Sequence, residues 1–237
     1  MTLSINRIYK RMGDWSMATR VFHSTVPRLS ADLIAQWSCV PSSVAADVLD
    51  GLTVIDATIR PLKPMATGTK LIGLATTALC EGTDYGAVHH AIAEAQAGDV
   101  IVIEAGGRCN PAIIGELLSA SARLKGVRGL VINGAVRDVS TLREWSDFPV
   151  FARHVTPRGP SSFDRGTVND TIALAGVKVV PGDLVIGDDD GVVIVPREEA
   201  DAKLEAALAR VAAEVGWEME LMTGRSTLDV FSIPSAI

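Results

Sequence analysis

Apolar residues near the start of the chain have helical spacing in two short segments. In PRLSADLIAQW, Ser30 is the expected N-cap, and the apolar positions recur every three or four residues: Leu29, Leu33, Ile34 and Trp37. In PSSVAADVLDG the spacing predicts a second helix, capped near Ser43 and ended by Gly51. Two short helices are therefore predicted before the first long apolar run.

From residue 69 onward, apolar runs alternate with helical segments. TKLIGLAT is predicted to be a buried strand, and a helix over about residues 85–96 follows it. A turn at Gly98-Asp99 then leads to a strand over residues 100–103, and the next helix and strand lie in GELLSASARLKGVRGLVIN. Because the strands are almost continuously apolar, this order predicts a mainly parallel sheet with right-handed crossovers.

After PVFAR the pattern changes to short Val-rich runs separated by Gly and Asp. GVKVVPGDLVIGDDDGVVIVP predicts antiparallel strands, with the DDDG segment at residues 188–191 as a hairpin turn. A calcium loop is disfavoured there, because the segment lacks the alternating ligand spacing and distal Glu of an EF-hand. GDLVIG shares the turn chemistry of GDVIVI at Gly98. A long terminal helix is predicted over residues 198–222, ending near Gly224.

This order of elements predicts the α/β class, with a central mixed sheet flanked by helices and a long C-terminal helix. No low-complexity linker divides residues 27–237, which are interpreted as one domain. Residues 1–26 are interpreted as an N-terminal arm. Arg7, Lys10 and Arg11 make this arm basic, and a transit peptide is the alternative interpretation.

Composition narrows the function classes. Hydrophobic residues make up 48% of the 237 residues, and the net charge is −6 at pH 7. Such a chain is expected to be globular, and its charge argues against nucleic acid as a partner. No apolar run approaches the ~18 residues that a membrane helix needs, so a soluble protein is expected. Cys39, Cys80 and Cys109 fit neither a disulfide framework nor a zinc site, which favours a reducing cytoplasm.

The segment GELLSASARLKGVRGLVINGAVRD, residues 115–138, holds the candidate chemistry. Gly115 is predicted to open a helix whose first N–H groups lack partners, and such an end binds small anions. Glu116 stands in the first turn. The alternative is an ordinary helix start at which Glu116 only complements the helix dipole.

Arg137 and Asp138 follow the next predicted strand, after an expected turn at Gly134. The carboxyl edge of an open α/β sheet is where ligands bind. Arginine offers a planar fork for a carboxylate, and an aspartate can ligate a hard cation. The 21 positions from Glu116 to Arg137 allow a helix, a turn and a strand back to the same edge. A local surface ion pair is the alternative.

Three other motifs are given structural interpretations. His89-His90 lies within a predicted helix without a partner at i+4, so a surface or interface pair is expected rather than a zinc site. Gly106-Gly107 lacks the further glycines or lysine of a nucleotide-binding loop. Arg158-Gly159 is expected in a loop near the site, with no role assigned.

Together, these motifs resemble the RraA-like family. The resemblance runs from about Pro27 to Gly224 and rests on GELL…GLVINGAVRD, VIDATIRPL, AVHHAIAEAQAGDVIVIEAGG, PVFARHVTPRGP and PGDLVIGDDDGVVIVP. It implies a swivelling, phosphohistidine-domain-like fold assembled as a homotrimer or a homohexamer. The family includes divalent-metal-dependent aldolases for 4-hydroxy-4-methyl-2-oxoglutarate and 4-carboxy-4-hydroxy-2-oxoadipate, and other members bind and inhibit a ribonuclease.

The resemblance also implies roles for individual residues. Asp138 matches the direct metal ligand, Glu116 the acid that holds a metal-bound water, and Arg137 the arginine on the pyruvate unit. The amides of Leu117 and Leu118, beside Gly115, match those that cradle the pyruvate carboxylate.

Two further acids of the family's site come from a neighbouring subunit. Asp47 fits the first of these positions, as Asp where Glu is more usual. Glu214 fits the second by its ten-residue distance to Gly224.

The activity implied is that of a metal-dependent pyruvate aldolase using Mg²⁺ or Mn²⁺. It would cleave a 4-hydroxy-2-oxo di- or tricarboxylic acid to pyruvate and a second oxo acid, with oxaloacetate decarboxylation as a side activity. The alternatives are a non-catalytic regulator that binds a ribonuclease, and another metal-dependent hydrolase or lyase acting on a small acid. The terminal helix and the intact Arg-Asp pair favour catalysis.

Overall fold

The fold is an α/β arrangement built on a large mixed sheet, as the sequence predicts. A computed structural model describes residues 18–23, 27–234 and 236. Within these residues the strands are β1 (Arg20–Val21), β2 (Arg60–Pro61), β3 (Leu71–Leu79), β4 (Asp99–Glu104), β5 (Ala112–Ile114), β6 (Gly129–Val136), β7 (Val150–Val155), β8 (Thr167–Val168), β9 (Ile172–Leu174), β10 (Val177–Val179), β11 (Leu184–Asp188) and β12 (Gly191–Val195). The helices are α1 (Ala31–Trp37), α2 (Ser42–Val48), α3 (Gly86–Glu94), α4 (Glu116–Leu124), α5 (Val139–Glu144), α6 (Ala200–Met222) and α7 (Thr227–Val230).

Four parallel strands form the centre of the sheet in the spatial order β3-β4-β6-β7. Their apolar runs are buried because the sheet is covered on both faces. One face packs on α3 and α4 through Val88, Ile103 and Ile132, and the other packs under the later strands through Phe151 and Leu174. The parallel strands predicted from TKLIGLAT, DVIVIE and GLVIN are therefore confirmed.

The Val-rich second half forms antiparallel pairs, as predicted. β11 pairs with β12 across the turn at Asp189-Asp190, and β11 also pairs antiparallel with β3. The two Gly-Asp turns, which are similar in sequence, also contain the same type of hydrogen bond. The Asp99 carboxylate accepts from the Gln96 N–H at 2.8 Å, and the Asp183 carboxylate accepts from the Val180 N–H at 2.7 Å.

The N-terminal helices pack against the terminal helix on the outside of the β11–β12 hairpin. Trp37 at the end of α1 is fully buried, and its indole N–H donates to the Ala200 carbonyl of α6 at 2.9 Å. The predicted cap is confirmed, since the Ser30 hydroxyl accepts from the Leu33 N–H at 3.1 Å. Gly51 follows α2 at φ +69°, as expected for a helix stop.

Two local predictions are wrong. The hydroxyl that caps α2 is not that of Ser43. Instead, the helix starts at Ser42, whose N–H and hydroxyl both donate to the Asp188 carboxylate, at 2.9 and 2.5 Å. Gly134 is not a turn, because it lies inside β6 beside a register shift relative to β7. A Cβ atom at Gly134 would come within 2.9 Å of the Ala105 Cβ, so the glycine marks a close approach of two segments.

The N-terminal arm is only partly covered by the structure. Residues 18–23 include β1, which pairs parallel with β8 at the edge of the sheet. The remaining basic residues of the arm, Arg7, Lys10 and Arg11, lie outside the described residues. In the described part of the chain, no helix combines the length and the apolar character needed to cross a membrane.

Two glycine substitutions should have opposite effects on the free energy of unfolding, one through close packing and the other through helix propensity. Gly73 in β3 lies against the Gly98 carbonyl, and a Cβ atom there would also stand 3.1 Å from Val100 Cγ2. Gly73→Ala should therefore lower the free energy of unfolding by about 1–3 kcal/mol. Gly216 in α6 has open space around its Cα, so Gly216→Ala should raise that free energy by roughly 0.5–1 kcal/mol. Urea unfolding measures both, and a neutral Gly73→Ala would contradict the close strand–turn packing.

Candidate active site

The start of α4 is built around Gly115. β5 runs parallel to β6 and delivers the chain to Gly115 in an extended conformation, with φ −150°. A Cβ atom at this position would collide with the Asp138 carboxylate and stand 2.7 Å from Arg137 Cγ. The glycine is therefore needed for space, since it lets the Arg-Asp pair lie directly against the helix start.

Arg137 and Asp138 are positioned by the end of β6. The Arg137 N–H donates to the Ile114 carbonyl at 3.1 Å, which ties the two strand ends together. Asp138 adopts a left-handed conformation, with φ +59° and ψ +36°, immediately before α5. Non-glycine residues are uncommon in this region, and aspartate is among those that adopt it most readily.

A single carboxylate oxygen joins the two halves of the motif. Asp138 Oδ2 accepts a hydrogen bond from the Glu116 N–H at 3.0 Å, and Arg137 Nε lies 3.6 Å from the same oxygen. The Arg137 and Asp138 side chains remain 43% and 42% exposed. Both charged groups are therefore held in place and still accessible to a ligand.

These residues line one cavity of about 510 Å³. Its wall includes the predicted site residues of the motif: Gly115, Glu116, Leu117, Leu118, Arg137 and Asp138. The N–H groups of Leu117 and Leu118 have no acceptor within the described residues, so the helix start offers two free donors. The convergence expected from the 21-residue spacing is thus present in the geometry.

The carboxylates in the cavity suit a hydrated hard cation better than an enclosed metal. Asp138 Oδ1 accepts no hydrogen bond within the described part of the chain, and Glu116 stands on the same wall. Within residues 18–23, 27–234 and 236, no three His, Cys, Asp or Glu side chains are grouped to hold a metal. Two carboxylates with room for water offer the kind of oxygen ligands that a hard, partly hydrated cation takes.

Asp47 and Glu214 are brought together in the chain, but not in this cavity. Arg210 in α6 donates to the Asp47 carboxylate at 3.2 Å and to the Glu214 carboxylate at 3.1 Å. Neither acid lines the cavity that contains Arg137. Within one chain, these two predicted site residues form a separate cluster on α2 and α6.

Tyr85 and His89 also line the cavity, although the sequence pattern does not predict either residue there. Both histidines of the His89-His90 pair are exposed, as predicted, but only His89 is part of this wall. The Tyr85 and His89 rings lie 4.8 Å apart between centroids. The i, i+4 spacing of Tyr85 and His89 at the start of α3 is the sequence feature that indicates that the two side chains lie side by side.

The loop of residues 156–166 closes one side of the cavity. Gly159 packs against the Arg137 guanidinium, where a Cβ atom would collide, and Pro160 lines the cavity. The Arg158 carbonyl accepts from the Ala112 N–H at 2.8 Å. The expectation that Arg158-Gly159 lies near the site is therefore confirmed.

Asp84 anchors this loop from underneath. Its carboxylate is buried and accepts hydrogen bonds from the Ser162 hydroxyl and from the N–H groups of Gly86, Asp164 and Arg165. Burial alone would raise the pKa of this carboxyl, but the hydrogen bonds outweigh burial and lower the pKa below its ordinary value. The loop is thus held by an ionised side chain outside the cavity wall.

Residues 45–194, which contain every element of the cavity wall, match the sequence profile of the RraA-like family, described as Aldolase/RraA. The chain belongs to the RraA-like family. The match supports the resemblance drawn from the GELL and VRD segments and the α/β fold described above.

Individual relatives point in two functional directions. A protein of Halalkalibacterium halodurans named "Putative 4-hydroxy-4-methyl-2-oxoglutarate aldolase" is 36% identical over 181 residues, which is 76% of this chain and 84% of the relative. The crystal structure of Streptomyces coelicolor RraAS2, described as an unusual member of the RNase ES inhibitor RraA protein family, has a TM-score of 0.71. It is 29% identical, and the match covers 81% of this chain and 100% of that one.

A third similarity concerns the fold alone. The structure of an uncharacterised protein from Pseudomonas syringae has a TM-score of 0.76 at 22% identity, covering 86% of this chain and 99% of that chain. The fold shared with these two structures therefore extends across most of the chain.

Replacing Asp84 should weaken the fold near the cavity in a pH-dependent way. Asp84→Ala leaves four donors without their acceptor and should lower the unfolding free energy by about 1–3 kcal/mol at pH 7. Since the folded-state pKa is lowered, the contribution is complete above the unfolded pKa of about 4 and is lost as the pH falls through the folded value. Denaturant unfolding of wild type and variant from pH 7 to pH 3 should show the difference shrinking. Asp164→Ala, on the exposed side of the same loop, is the control, and an equal loss there would contradict the anchoring role.

Proposed function

We propose that the protein is a divalent-metal-dependent aldolase that releases pyruvate from a 4-hydroxy-2-oxo di- or tricarboxylic acid. The observation that supports this most strongly is the convergence of Glu116, Arg137 and Asp138 on one cavity, tied by the Asp138–Glu116 hydrogen bond of 3.0 Å. The cavity combines a fixed cation, two carboxylates and free N–H donors, which are the groups that a 2-oxo acid and a hard cation require.

The pyruvate end of the substrate is proposed to bind at the start of α4. The free N–H groups of Leu117 and Leu118 would donate to the C1 carboxylate, helped by the positive end of the helix dipole. The terminal nitrogens of Arg137 have no partner within the described residues and can donate to the same unit. This end of the cavity therefore selects a 2-oxo acid by its charge and its planar oxygens.

Asp138 and Glu116 would hold the cation, with Asp138 as the direct ligand. When bound, Mg²⁺ or Mn²⁺ supplies Lewis-acid stabilisation of the negative charge that develops on the pyruvate unit. Asp138 is suited to direct ligation because its Oδ1 is unoccupied while Oδ2 is fixed by the Glu116 N–H. That bond sets the orientation of the carboxylate before the ligand arrives.

Bond cleavage then requires a base that accepts the proton of the C4 hydroxyl. It also requires positive charge beside the C2 oxygen. The Glu116 carboxylate, directly or through water, would accept the proton of the C4 hydroxyl as the C3–C4 bond breaks and the C4 ketone forms. The bonding electrons delocalise onto the C2 oxygen, where the Arg137 guanidinium supplies fixed positive charge. Return of a proton to C3 completes pyruvate. Oxaloacetate decarboxylation passes through the same enolate, so it is the expected side activity.

The site is proposed to be completed by a neighbouring subunit. Asp47 and Glu214 lie outside the cavity of their own chain but share one arginine, Arg210, so they form a unit that a second chain could present. The proposed assembly is a homotrimer or a homohexamer.

A ribonuclease-binding regulator without catalysis is the rival proposal. Its support is the similarity to Streptomyces coelicolor RraAS2. Aldolase activity is favoured because the Arg137-Asp138 pair is intact and its cavity is open to small ligands.

Substitutions in the motif should separate the aldolase from the regulator. Asp138→Asn tolerates the left-handed backbone and keeps an acceptor for the Glu116 N–H, so the protein should stay folded while pyruvate release is lost. Arg137→Lys keeps the charge but loses the fork, so kcat/KM should fall by at least about tenfold with little change in Tm. Pyruvate release from 4-hydroxy-4-methyl-2-oxoglutarate, assayed with chelator and after addition of Mg²⁺ or Mn²⁺, is the measurement. Full turnover by Asp138→Asn, or by metal-free protein, would refute the mechanism.

His89 should select substrates with a distal carboxylate. Among the charged or titratable side chains that line the cavity, Arg137 is assigned to the pyruvate end, and His89 is the remaining N–H donor. His89→Gln should raise KM for 4-hydroxy-4-methyl-2-oxoglutarate about tenfold and leave kcat nearly unchanged. KM for 4-hydroxy-2-oxopentanoate, which lacks the distal carboxylate, should not change. His90→Gln is the matched control. Equal effects of the two variants would show that His89 does not bind the distal carboxylate.

A further inference from the structure

A groove of about 750 Å³ lies at the edge of the sheet opposite to the candidate active site. One wall is α1, with Ala31 and Ile34, and the facing wall is made by Met65, Ile72 and Pro149. The parallel strands enter the sheet here, whereas the candidate active site lies where β6 leaves it. The two sites therefore share no lining residue.

The charged residues along this α1 groove are mostly cations. Arg28, Lys70 and Arg128 line it together with one acid, Asp147. Two of these four charges are neutralised by partners. Arg28 pairs with the buried Asp99, and Asp147 pairs with Arg123 at 2.7 Å.

Lys70 and Arg128 form no ion pair within the described residues, although the more distant Asp188 partly offsets the charge of Lys70. The Lys70 ammonium donates to the Ser38 carbonyl at 3.3 Å and has no carboxylate partner within 4.0 Å in the described residues. Burial lowers the pKa of Lys70, as expected for a cation whose surroundings are apolar on one side. The Arg128 side chain has no hydrogen bond or ion pair within the same residues, although its backbone N–H is tied to the Asp99 carbonyl at 2.7 Å.

The partly buried Lys70 and the exposed Arg128 stand beside apolar walls, so an anion with an apolar body could bury the walls and neutralise the charge at once. The free Arg128 guanidinium matches the planar oxygens of a carboxylate. The basic arm residues Arg7, Lys10 and Arg11 are poor occupants, because like charges repel.

We propose that the α1 groove is a second binding site, for an amphipathic carboxylate whose apolar body lies between α1 and Ile72 and whose head meets Lys70 and Arg128. The volume is within the ~300–1,000 Å³ range of small-molecule sites. The site is independent of the proposed aldolase activity, because none of its residues line that cavity.

Calorimetric titration of the full-length protein with octanoate tests the proposal. Wild type should bind one octanoate per chain, with 1-octanol at least about tenfold weaker because it lacks the charge. The double variant Lys70→Gln/Arg128→Gln should weaken octanoate binding by at least about tenfold and leave octanol unaffected. Lys178→Gln removes an exposed cation on β10 that does not line the groove, and should change nothing.

Four outcomes would overturn the assignment. Equal binding of octanoate and 1-octanol would show that the cations do not contribute. Loss of octanoate binding in Arg137→Gln but not in the double variant would move the ligand to the candidate active site. Octyl phosphate binding more than about tenfold tighter than octanoate would exclude carboxylate as the preferred head group. The fourth outcome is that wild type binds no octanoate while the double variant changes its oligomeric state in light scattering. Those two results together would show that the groove is a contact between chains.

Discussion

The hydrogen bond from the Glu116 N–H to Asp138 Oδ2 is the constraint on which the candidate site depends. It joins the end of β6 to the start of α4, two segments separated by a whole helix and strand. The bond requires a left-handed backbone at Asp138, which is unfavourable for most residues with a side chain, and the absence of a side chain at Gly115. It leaves the second carboxylate oxygen and the Arg137 fork free, so a structural bond also prepares the site for a ligand.

The sheet makes this bond possible because it fixes both segments from below. β5 and β6 are parallel neighbours, and the Arg137 N–H extends their ladder to the Ile114 carbonyl. Gly134 lies where β6 passes close to Ala105, so the last part of the strand is shifted relative to β7. The buried Asp84 completes the support by holding the loop that packs Gly159 on Arg137. A chain of close contacts, rather than one helix terminus, positions the charged groups.

The sequence predicts much of this and misses what depends on distant partners. The parallel strands, the DDDG hairpin and the Ser30 cap follow from local patterns, and the structure confirms them. The start of α2 was mispredicted because its cap is Asp188, which is 146 positions away. The His89 side chain was separated from the site for a similar reason, since only folding brings α3 beside α4. Local sequence patterns do not indicate a contact that forms only when the tertiary fold brings distant residues together.

The exposure of the charged pair limits what one chain can do alone. Arg137 and Asp138 are each more than two-fifths exposed, and charges in contact with water interact weakly with a ligand. Strong stabilisation of a developing enolate needs a cavity from which water is excluded. The chain covers one side with Gly159 and Pro160, whereas the acids Asp47 and Glu214 are gathered on another surface by Arg210. In the proposed assembly, a second subunit over the open side of the cavity would exclude this water.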